Sequence, residues 1–165
     1  MNLEKIKSAN TKYIGKNIIY KEKMESTQEL AKKLINEING TIVITDEQTK
    51  GKGTKGRKWF TTKEKNITMT IILKDDWKVE DLDGLTLKIA KAIEEAIKEL
   101  YGYELKIKEP NDLLLNGKKI CGILTECSSM NNIVNYILIG IGFDVNEEIF
   151  NEELRKYSNF SKKGI

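Results

Sequence analysis

One apolar stripe constrains the fold of this chain more than any other feature of its sequence. Between Leu82 and Leu100, apolar residues recur every three or four positions, which is the spacing of one face of an α-helix. Gly102 follows, and a glycine just past the last apolar residue is typical of a helix C-terminus. A long helix with one apolar face must bury that face against another layer of structure. The stripe consists of Leu82, Leu85, Ile89, Ile93, Ala96, Ile97 and Leu100.

The rest of the sequence supplies strands for that other layer. Asn66 to Leu73 alternates apolar and polar residues, which predicts a half-buried strand. Tyr136 to Val145 is a longer apolar run that predicts a buried central strand, and Asn116-Gly117 is a type I′ hairpin signal. Further short strands are predicted over 17–22, 41–45, 104–107 and 119–125.

Two more helices complete the predicted elements. Ser26 and Glu29 fit a capping box at the start of a helix that stops at Gly40. A closing helix is predicted over 146–157. Several hairpin-type connections, with no regular βαβ series, indicate mixed α and β structure. We expect residues 1–165 to form a single domain.

The composition excludes several kinds of chemistry. The chain has no histidine, so Ser-His-Asp catalysis and histidine-ligated zinc are ruled out within it. Cys121 and Cys127 match no metal or redox spacing, and we expect both to be small buried thiols. The net charge of +3 does not favour a surface that coats nucleic acid. No N-terminal apolar run or membrane-length stretch is present, so we expect a cytoplasmic protein with no membrane partner.

A basic, glycine-rich segment is the main candidate for function. Lys50 to Lys58 holds five cations, three glycines and one threonine, and Trp59-Phe60 follows directly. Glycines let backbone N–H groups approach an anion closely, and the cations supply charge, so a phosphate is the expected guest. The segment is neither a Walker A loop nor the start of a Rossmann helix. A solvated basic surface loop and, less favoured, a nucleic-acid contact are the alternatives.

Gly51 to Trp59, GKGTKGRKW, resembles the GRGRxGRxW loop of bacterial biotin protein ligases. Four further segments are similar to motifs of that family and follow in the family's order, with Gln48 just upstream of the loop. They are Ser26-Thr27-Gln28 for Ser-Thr-Asn, Lys108-Glu109-Pro110-Asn111-Asp112 for Lys-Trp-Pro-Asn-Asp, Gly122-Ile123-Leu124-Thr125-Glu126 preceded by Lys119, and Gly140 to Asn146 for Gly-Ile-Gly-Ile-Asn-Val-Asn. Five ordered elements form a specific signal.

The resemblance implies a fold and a reaction. The fold is α+β, with a mixed, mainly antiparallel sheet flanked by helices, as in class II aminoacyl-tRNA synthetases. The reaction is a ligation in which biotin and ATP, with Mg²⁺, give biotinyl-5′-adenylate and pyrophosphate. A lysine of the biotin carboxyl carrier protein of acetyl-CoA carboxylase then accepts biotin. No histidine is needed, because a carboxylate is already nucleophilic at neutral pH and the site mainly positions substrates and neutralises charge.

The resemblance also assigns roles to individual residues. Lys119, Arg57 and Lys108 are the expected catalytic cations. Asp112 is the expected Mg²⁺ ligand, beside Asn111 on phosphate. The residues expected to bind biotin are Ser26, Thr27, Gln28, Gln48, Lys52, Gly53, Thr54, Lys119, Gly140 and Gly142. Those expected to bind ATP or the adenylate are Lys52, Thr54, Lys55, Arg57, Trp59 and Asn111.

Purely structural roles remain open for most of these positions. Ser26 also fits a plain helix N-cap, and Asn111 and Asp112 also fit turn chemistry after Pro110. The glycines also fit close strand packing, and Trp59 also fits an ordinary core position. Lys108 and Lys119 also fit solvated strand and hairpin lysines.

Several positions depart from the family pattern. Lys52 and Thr54 stand where the pattern has arginines, and the loss of charge at Thr54 is expected to loosen the hold on the adenylate. Glu109 stands for a tryptophan and is expected to face solvent. Asp144 stands for an asparagine, with no expected direction.

Nothing after Asn146 resembles the family's C-terminal β-barrel-like domain, and no N-terminal helix-turn-helix is found. A fragment, a truncated product and a minimal enzyme are therefore all compatible with the sequence. Three other activities stay open: a lipoate or octanoate ligase or transferase of the same fold, a biotin-binding protein without turnover, and a basic nucleic-acid-binding module. A homodimer formed by sheet extension is also compatible with the predicted strands.

Overall fold

The computed structural model describes residues 11–146 together with Glu4 and Ile6. Its centre is a seven-stranded sheet in the order β1-β2-β3-β7-β6-β5-β4. β1 and β2 are parallel, and every other neighbouring pair is antiparallel. The predicted mixed, mainly antiparallel sheet is confirmed. The strands are β1 (Ile18–Met24), β2 (Thr41–Gln48), β3 (Asn66–Leu73), β4 (Lys106–Lys108), β5 (Asp112–Leu115), β6 (Lys118–Met130) and β7 (Ile133–Asp144).

Two helices, α1 (Thr27–Lys33) and α2 (Leu85–Tyr101), cover opposite faces of the sheet. On one face the apolar stripe of α2 packs on the largest cluster of buried residues, which includes Ile123, Ile137 and Ile139. On the other face Ala31 of α1 packs against buried residues of β2, β3 and β7. Leu85, Ile89, Ile93 and Ile97 pack on this cluster as their spacing predicts, whereas Ala96 and Leu100 at the end of the stripe are exposed.

Both helices are shorter than their sequence patterns suggest. α2 begins at Leu85 because Gly84 adopts a left-handed conformation (φ 69°), which separates the helix from a 3₁₀ turn over Val79–Leu82. α1 ends at Lys33, and isolated turns follow, so Ile38 is 58% exposed rather than on the packed face. The predicted end of α2 is confirmed, with Gly102 in the left-handed region (φ 73°).

The hairpin of β6 and β7 is longer than predicted. β6 ends at Met130 and β7 begins at Ile133. The two residues between them, Asn131 and Asn132, both have positive φ, at 51° and 65°. Asparagine tolerates the left-handed region, so this pair makes the tight turn that a type I′ hairpin needs. The predicted hairpin at Asn116-Gly117 is confirmed, with φ of 52° and 78°.

The two cysteines differ in their surroundings. Cys121 is buried on β6, and burial raises the pKa of its thiol to about 12. Cys127 is exposed, so the expectation that both thiols are buried is wrong at this position. The reason is that β6 extends past the covered part of the sheet. Between residues 11 and 146 no helix is long and apolar enough to span a membrane. The closing helix predicted over 146–157 lies outside the described residues, apart from Asn146.

Candidate functional site

The carboxyl ends of the parallel strands β1 and β2 meet the N-terminus of α1, and this junction gathers the first group of predicted residues. The backbone N–H of Thr27 donates to Gln48 Oε1 at 2.7 Å, and its hydroxyl donates to the same oxygen at 3.1 Å. Ser26 caps α1, its Oγ accepting from the N–H of Glu29 at 3.4 Å. The structure thus supports the N-cap role of Ser26.

Gln28, the next residue of α1, connects this group to β6. It is buried, and its Nε2 donates to Glu126 Oε2 at 2.8 Å. The Thr70 hydroxyl lies 3.0 Å from Gln28 Oε1 and 2.9 Å from Thr27 Oγ1, and its one proton can go to either. Thr27, Gln28, Gln48 and Thr70 form a buried set of hydroxyls and amides, called here the amide cluster.

Two glycines on neighbouring strands make room for the indole of Trp59. A Cβ on Gly142 would lie 2.2 Å from Trp59 Cε2, and one on Gly122 would lie 2.8 Å from Trp59 Cζ3. Gly140 lies beside the amide cluster instead, since its Cβ would come within 2.8 Å of Gln28 Oε1. The lack of side chains at these positions admits Trp59 and Gln28.

Lys119 lies between the indole and an acid. Its Nζ is 2.7 Å from Asp112 Oδ1 and 5.4 Å from the centroid of the Trp59 ring. The Lys119 side chain is 31% exposed and that of Asp112 only 12%, so solvent screens this pair less than a surface ion pair. Indole and carboxylate hold the ammonium group in place, and part of it still reaches solvent.

The basic loop folds as a narrow hairpin. Lys52 and Lys58 form an antiparallel bridge, and the N–H of Trp59 donates to the carbonyl of Gly51 at 2.9 Å. Gly51 is required by this close approach, because a Cβ there would lie 2.2 Å from the carbonyl oxygen of Trp59. Gly53 sits at the start of the hairpin tip, where its N–H donates to the carbonyl of Arg57 at 2.8 Å. The hairpin thereby positions the Trp59 side chain over Gly142.

Two ion pairs connect the loop to α1 and to the residue pair that precedes it. Lys50 Nζ lies 2.7 Å from Glu25 Oε1, and Lys52 Nζ lies 2.6 Å from Glu29 Oε1. Hydrogen bonds from Lys52, which has the larger effect, and from Lys32 lower the pKa of the Glu29 carboxyl. Lys52 therefore points toward α1 and does not line the cavity beside the loop tip.

A cavity of about 390 Å³ opens beside the loop tip, bounded by the first turn of α2 and by the β4–β5 turn. Register explains its place: β5 pairs with β6 only as far as Gly122, so the described part of β6 beyond it has no strand neighbour on that side. Three cations line this cavity, namely Lys55, Arg57 and Lys108. Its other lining residues are Thr54, Thr86, Glu109, Pro110, Asn111, Asp112, Ile123 and Thr125.

Sequence reasoning missed part of this cavity wall. Thr86 Oγ1 donates to Thr125 Oγ1 at 3.0 Å, joining the first turn of α2 to β6. Thr86 belongs to none of the motifs, and Thr125 occupies a position in the Gly122 to Glu126 motif to which no role was assigned; only the docking of α2 on the sheet brings the two together. Asn111 was predicted, and its Nδ2 donates to the Ile123 carbonyl at 3.1 Å. Glu109 is exposed, but it also lines the cavity beside Lys108, so it does not face away from the cavity as the expectation required. Asp144 Oδ1 accepts from Asn66 Nδ2 at 3.1 Å.

The metal prediction concerns Asp112. Over residues 11–146, no cluster of three or more cysteine and acidic side chains is placed to hold a metal ion. Asp112 offers one carboxylate, already paired with Lys119. One carboxylate together with phosphate oxygens is a ligand set that Mg²⁺ accepts. The residues present therefore fit magnesium that arrives with a phosphate-bearing substrate.

The predicted residues thus form two adjoining compartments. The amide cluster presents hydrogen-bonding groups for a neutral polar guest, and the cavity presents cations for an anionic one. Lys119 connects them, because it lies by Trp59, which sits over Gly142 next to the amide cluster, and pairs with Asp112, which lines the cavity. This arrangement would suit two substrates, one polar and one phosphate-bearing.

The chain belongs to the biotin/lipoate A/B protein ligase family, whose model matches residues 20–144. It is similar to the bifunctional ligase/repressor BirA of Bacillus subtilis, with 39% identity over 140 residues, covering 84% of this chain and 43% of that protein. It is also similar to the biotin–[acetyl-CoA-carboxylase] ligase of Paracoccus denitrificans, with 34% identity over 124 residues, covering 73% of this chain and 51% of that protein.

Among solved structures, the fold is similar to the biotin protein ligase from Aquifex aeolicus in complex with biotin and ATP. The TM-score is 0.71 with 29% identity, covering 90% of this chain and 63% of that chain. The present chain spans about half the length of the curated relatives described above.

Proposed function

We propose that this chain is the catalytic part of an ATP-dependent biotin protein ligase. It activates biotin as biotinyl-5′-adenylate and then transfers biotin to a lysine of the biotin carboxyl carrier protein of acetyl-CoA carboxylase. The observation that carries the proposal is the pair of contacts made by Lys119. It lies by the indole of Trp59, which sits over Gly142 two residues from the amide cluster at Gly140, and it pairs with Asp112, which lines the cationic cavity. A cation at the junction of two compartments suits a reaction that joins a carboxylate to a phosphorus atom.

Biotin would occupy the side of the amide cluster. Its ureido group offers donors and an acceptor, which Ser26, Thr27 and Gln48 can match with hydroxyl and amide groups. Gln28 and Gly140 would border this position, since the side-chain amide of Gln28 packs on Gly140. The buried state of Thr27, Gln28 and Gln48 favours the proposal, because hydrogen bonds count for more where water is excluded.

ATP would enter the cavity as its magnesium complex. Its three cations, Lys55, Arg57 and Lys108, would bind phosphate oxygens. Asn111 is fixed by its bond to the Ile123 carbonyl, and Asp112 would supply a carboxylate to the magnesium ion. Trp59 would contact the adenylate, with Gly53 and Thr54 close by at the loop tip.

In the first step, a biotin carboxylate oxygen attacks the α-phosphorus of ATP. A carbon–oxygen–phosphorus anhydride forms, and the bond from that phosphorus to pyrophosphate breaks. Negative charge on the phosphoryl oxygens increases in the transition state, so cations held in place beforehand lower the barrier. In the second step, the amine of the acceptor lysine attacks the acyl carbon, AMP leaves and the amine loses a proton.

Incubation with radiolabelled biotin, ATP, Mg²⁺ and a biotin carboxyl carrier domain tests this proposal. Label on the carrier that depends on ATP supports the ligase. Biotin binding without transfer would identify a binding protein without turnover. Transfer from lipoate or octanoate alone would reassign the chain within its family, and salt-sensitive DNA binding without biotin affinity would reject the proposal.

A further inference from the structure

The guanidinium of Arg57 is folded onto the loop that carries it. Its Nε–H donates to the backbone carbonyl of Thr54 at 3.1 Å, and its Nη2 donates to Thr54 Oγ1 at 2.6 Å. We propose that Thr54 is a positioning residue that holds Arg57 in the orientation required for nucleotide binding. This inference rests on the proposed function, and it gives Thr54 a role through another side chain.

The shape of the loop tip makes this contact. Lys55 and Gly56 both have positive φ, at 56° and 72°, so the backbone turns sharply between Thr54 and Arg57. The N–H of Arg57 donates to the carbonyl of Thr54 at 3.2 Å, which closes the turn. Residues three apart therefore face the same side, and the threonine hydroxyl meets the guanidinium without strain at Thr54 itself.

The contact leaves most of the guanidinium available. A guanidinium has five N–H donors in a planar fork. Two of them are used by Thr54, which leaves three for another acceptor. Thr54 and Arg57 both line the cavity, so the remaining donors lie beside the space proposed for phosphate.

Pre-ordering affects this arginine in particular because its free side chain has many rotamers. Binding an anion with a mobile arginine costs conformational entropy, whereas an anchored one has already lost it. Lys55 and Lys108 also line the cavity, but a lysine is a point charge and lacks the planar fork. A threonine in place of a charged residue thus contributes to phosphate recognition without contacting phosphate.

Two substitutions at position 54 separate the hydroxyl from the shape of the side chain. Thr54→Val keeps the β-branched shape and removes the hydroxyl, and Thr54→Ser keeps the hydroxyl. In biotin-dependent ATP–pyrophosphate exchange, we expect Thr54→Val to raise KM for ATP about three- to tenfold and to leave KM for biotin unchanged. Thr54→Ser is expected to raise KM for ATP less than Thr54→Val does.

Arg57→Ala provides the background that tests whether Thr54 acts through Arg57. In that background Thr54→Val should cause no further change in KM for ATP, because the group it positions is gone. An equal effect of Thr54→Val with and without Arg57, or an effect of Thr54→Ser as large as that of Thr54→Val, would overturn the inference.

A measurement without ligand keeps this question separate from the proposed activity. The sequence has two arginines, Arg57 and Arg155, so a ¹⁵N spectrum of arginine Nε–H groups has at most two signals, and Arg57→Lys assigns them. We expect solvent exchange of the Arg57 Nε–H to be about threefold or more faster in Thr54→Val than in the wild type or Thr54→Ser. Equal exchange in all three would refute the positioning role. If the wild type shows no biotin-dependent exchange of pyrophosphate, the proposed function fails while this spectrum still decides the inference.

Discussion

At the scale of single residues, the space above the glycines of β7 is filled by two different side chains. Trp59 lies over Gly142, and the nearest obstacle to a new Cβ there is the rigid indole at 2.2 Å. Gln28 lies over Gly140, where the nearest obstacle is the end of a longer side chain at 2.8 Å. A rigid neighbour cannot yield locally, so the two positions differ in what they tolerate.

We therefore expect Gly142→Ala to be more damaging than Gly140→Ala. Gly142→Ala should displace the indole and lower the free energy of unfolding by about 1–3 kcal/mol, as overpacking does. Gly140→Ala should cost less, because Gln28 can rotate at the loss of its hydrogen bonds. Urea unfolding of both variants, with Trp59 emission followed in a Trp77→Phe background, measures this. Equal losses, or unchanged Trp59 emission in Gly142→Ala, would contradict the packing described here.

The residue types at the site could be predicted from sequence, but their pairing could not. Lys119, Asp112, Trp59 and the glycines all stood out in the motifs. That Lys119 pairs with Asp112 while Lys52 pairs with Glu29 depends on which side of a strand or loop each side chain leaves. The contact between Thr86 and Thr125 could not be predicted, because it arises from the docking of α2 on β6, although Thr125 lies within a quoted motif.

At the scale of elements, the basic loop depends on α1 for its position. Lys52 bonds to Glu29, and Lys32 on the same helix bonds to both Glu29 and Glu126. Partial burial lowers the pKa of Lys32, but its bonds to Glu126 and Glu29 outweigh this, so the pKa is raised. A chain of charges thus connects the loop through α1 to β6, beside the amide cluster.

This chain of charges predicts that the loop loosens in acid. The pKa of Glu29 lies below its ordinary value of 4.5 in the folded protein, mainly because of Lys52. The contribution of Glu29 to stability is therefore fully present above that ordinary value and is lost as pH falls through the lowered one. At neutral pH we expect Glu29→Gln to cost less than about 1 kcal/mol, since the pair is half exposed. The difference from wild type should vanish in strong acid.

Proteolysis of the loop distinguishes this anchoring from a general effect of charge. Glu29→Gln should speed cleavage between Lys50 and Lys58 at neutral pH. Glu104→Gln removes a similar exposed pair with Lys98 elsewhere in the molecule and should not change that rate. Loop cleavage that is the same in Glu29→Gln and wild type would refute the anchoring.

Element types were more predictable than element lengths. The stripe of α2 and the alternation of β3 gave the correct structures because each is periodic over many residues. The start of α2 was misplaced because apolar residues continue through the preceding 3₁₀ turn. The outer half of β6 was missed because Cys127, Ser128 and Ser129 do not form a strand pattern, and pairing with β7 holds them in the sheet.

At the scale of the whole molecule, strand order explains how scattered motifs form one site. β7 comes last in the described chain but lies in the middle of the sheet, between β3 and β6. Gly140 and Gly142 on β7 thereby meet Gln28 and Trp59, which come more than eighty residues earlier. The resemblance to known motifs anticipated this assembly, whereas local sequence patterns specify neither strand order nor which face of the sheet each motif reaches.

Lys119 is proposed to join the amide cluster, where biotin would bind, to the cationic cavity, where ATP would bind. Exchange of labelled pyrophosphate into ATP tests this role most directly. The wild-type chain should catalyse this exchange only when biotin is present, and Lys119→Gln should lower the rate about 100-fold or more. Lys119→Gln also leaves Asp112 unpaired, so its urea unfolding is measured alongside, and the exchange rate should fall under conditions where the variant is fully folded. Lys106→Gln, at an exposed lysine of β4 outside the cavity lining, should keep the wild-type rate. Exchange by Lys119→Gln at the wild-type rate, or no biotin-dependent exchange by the wild type, would contradict the account.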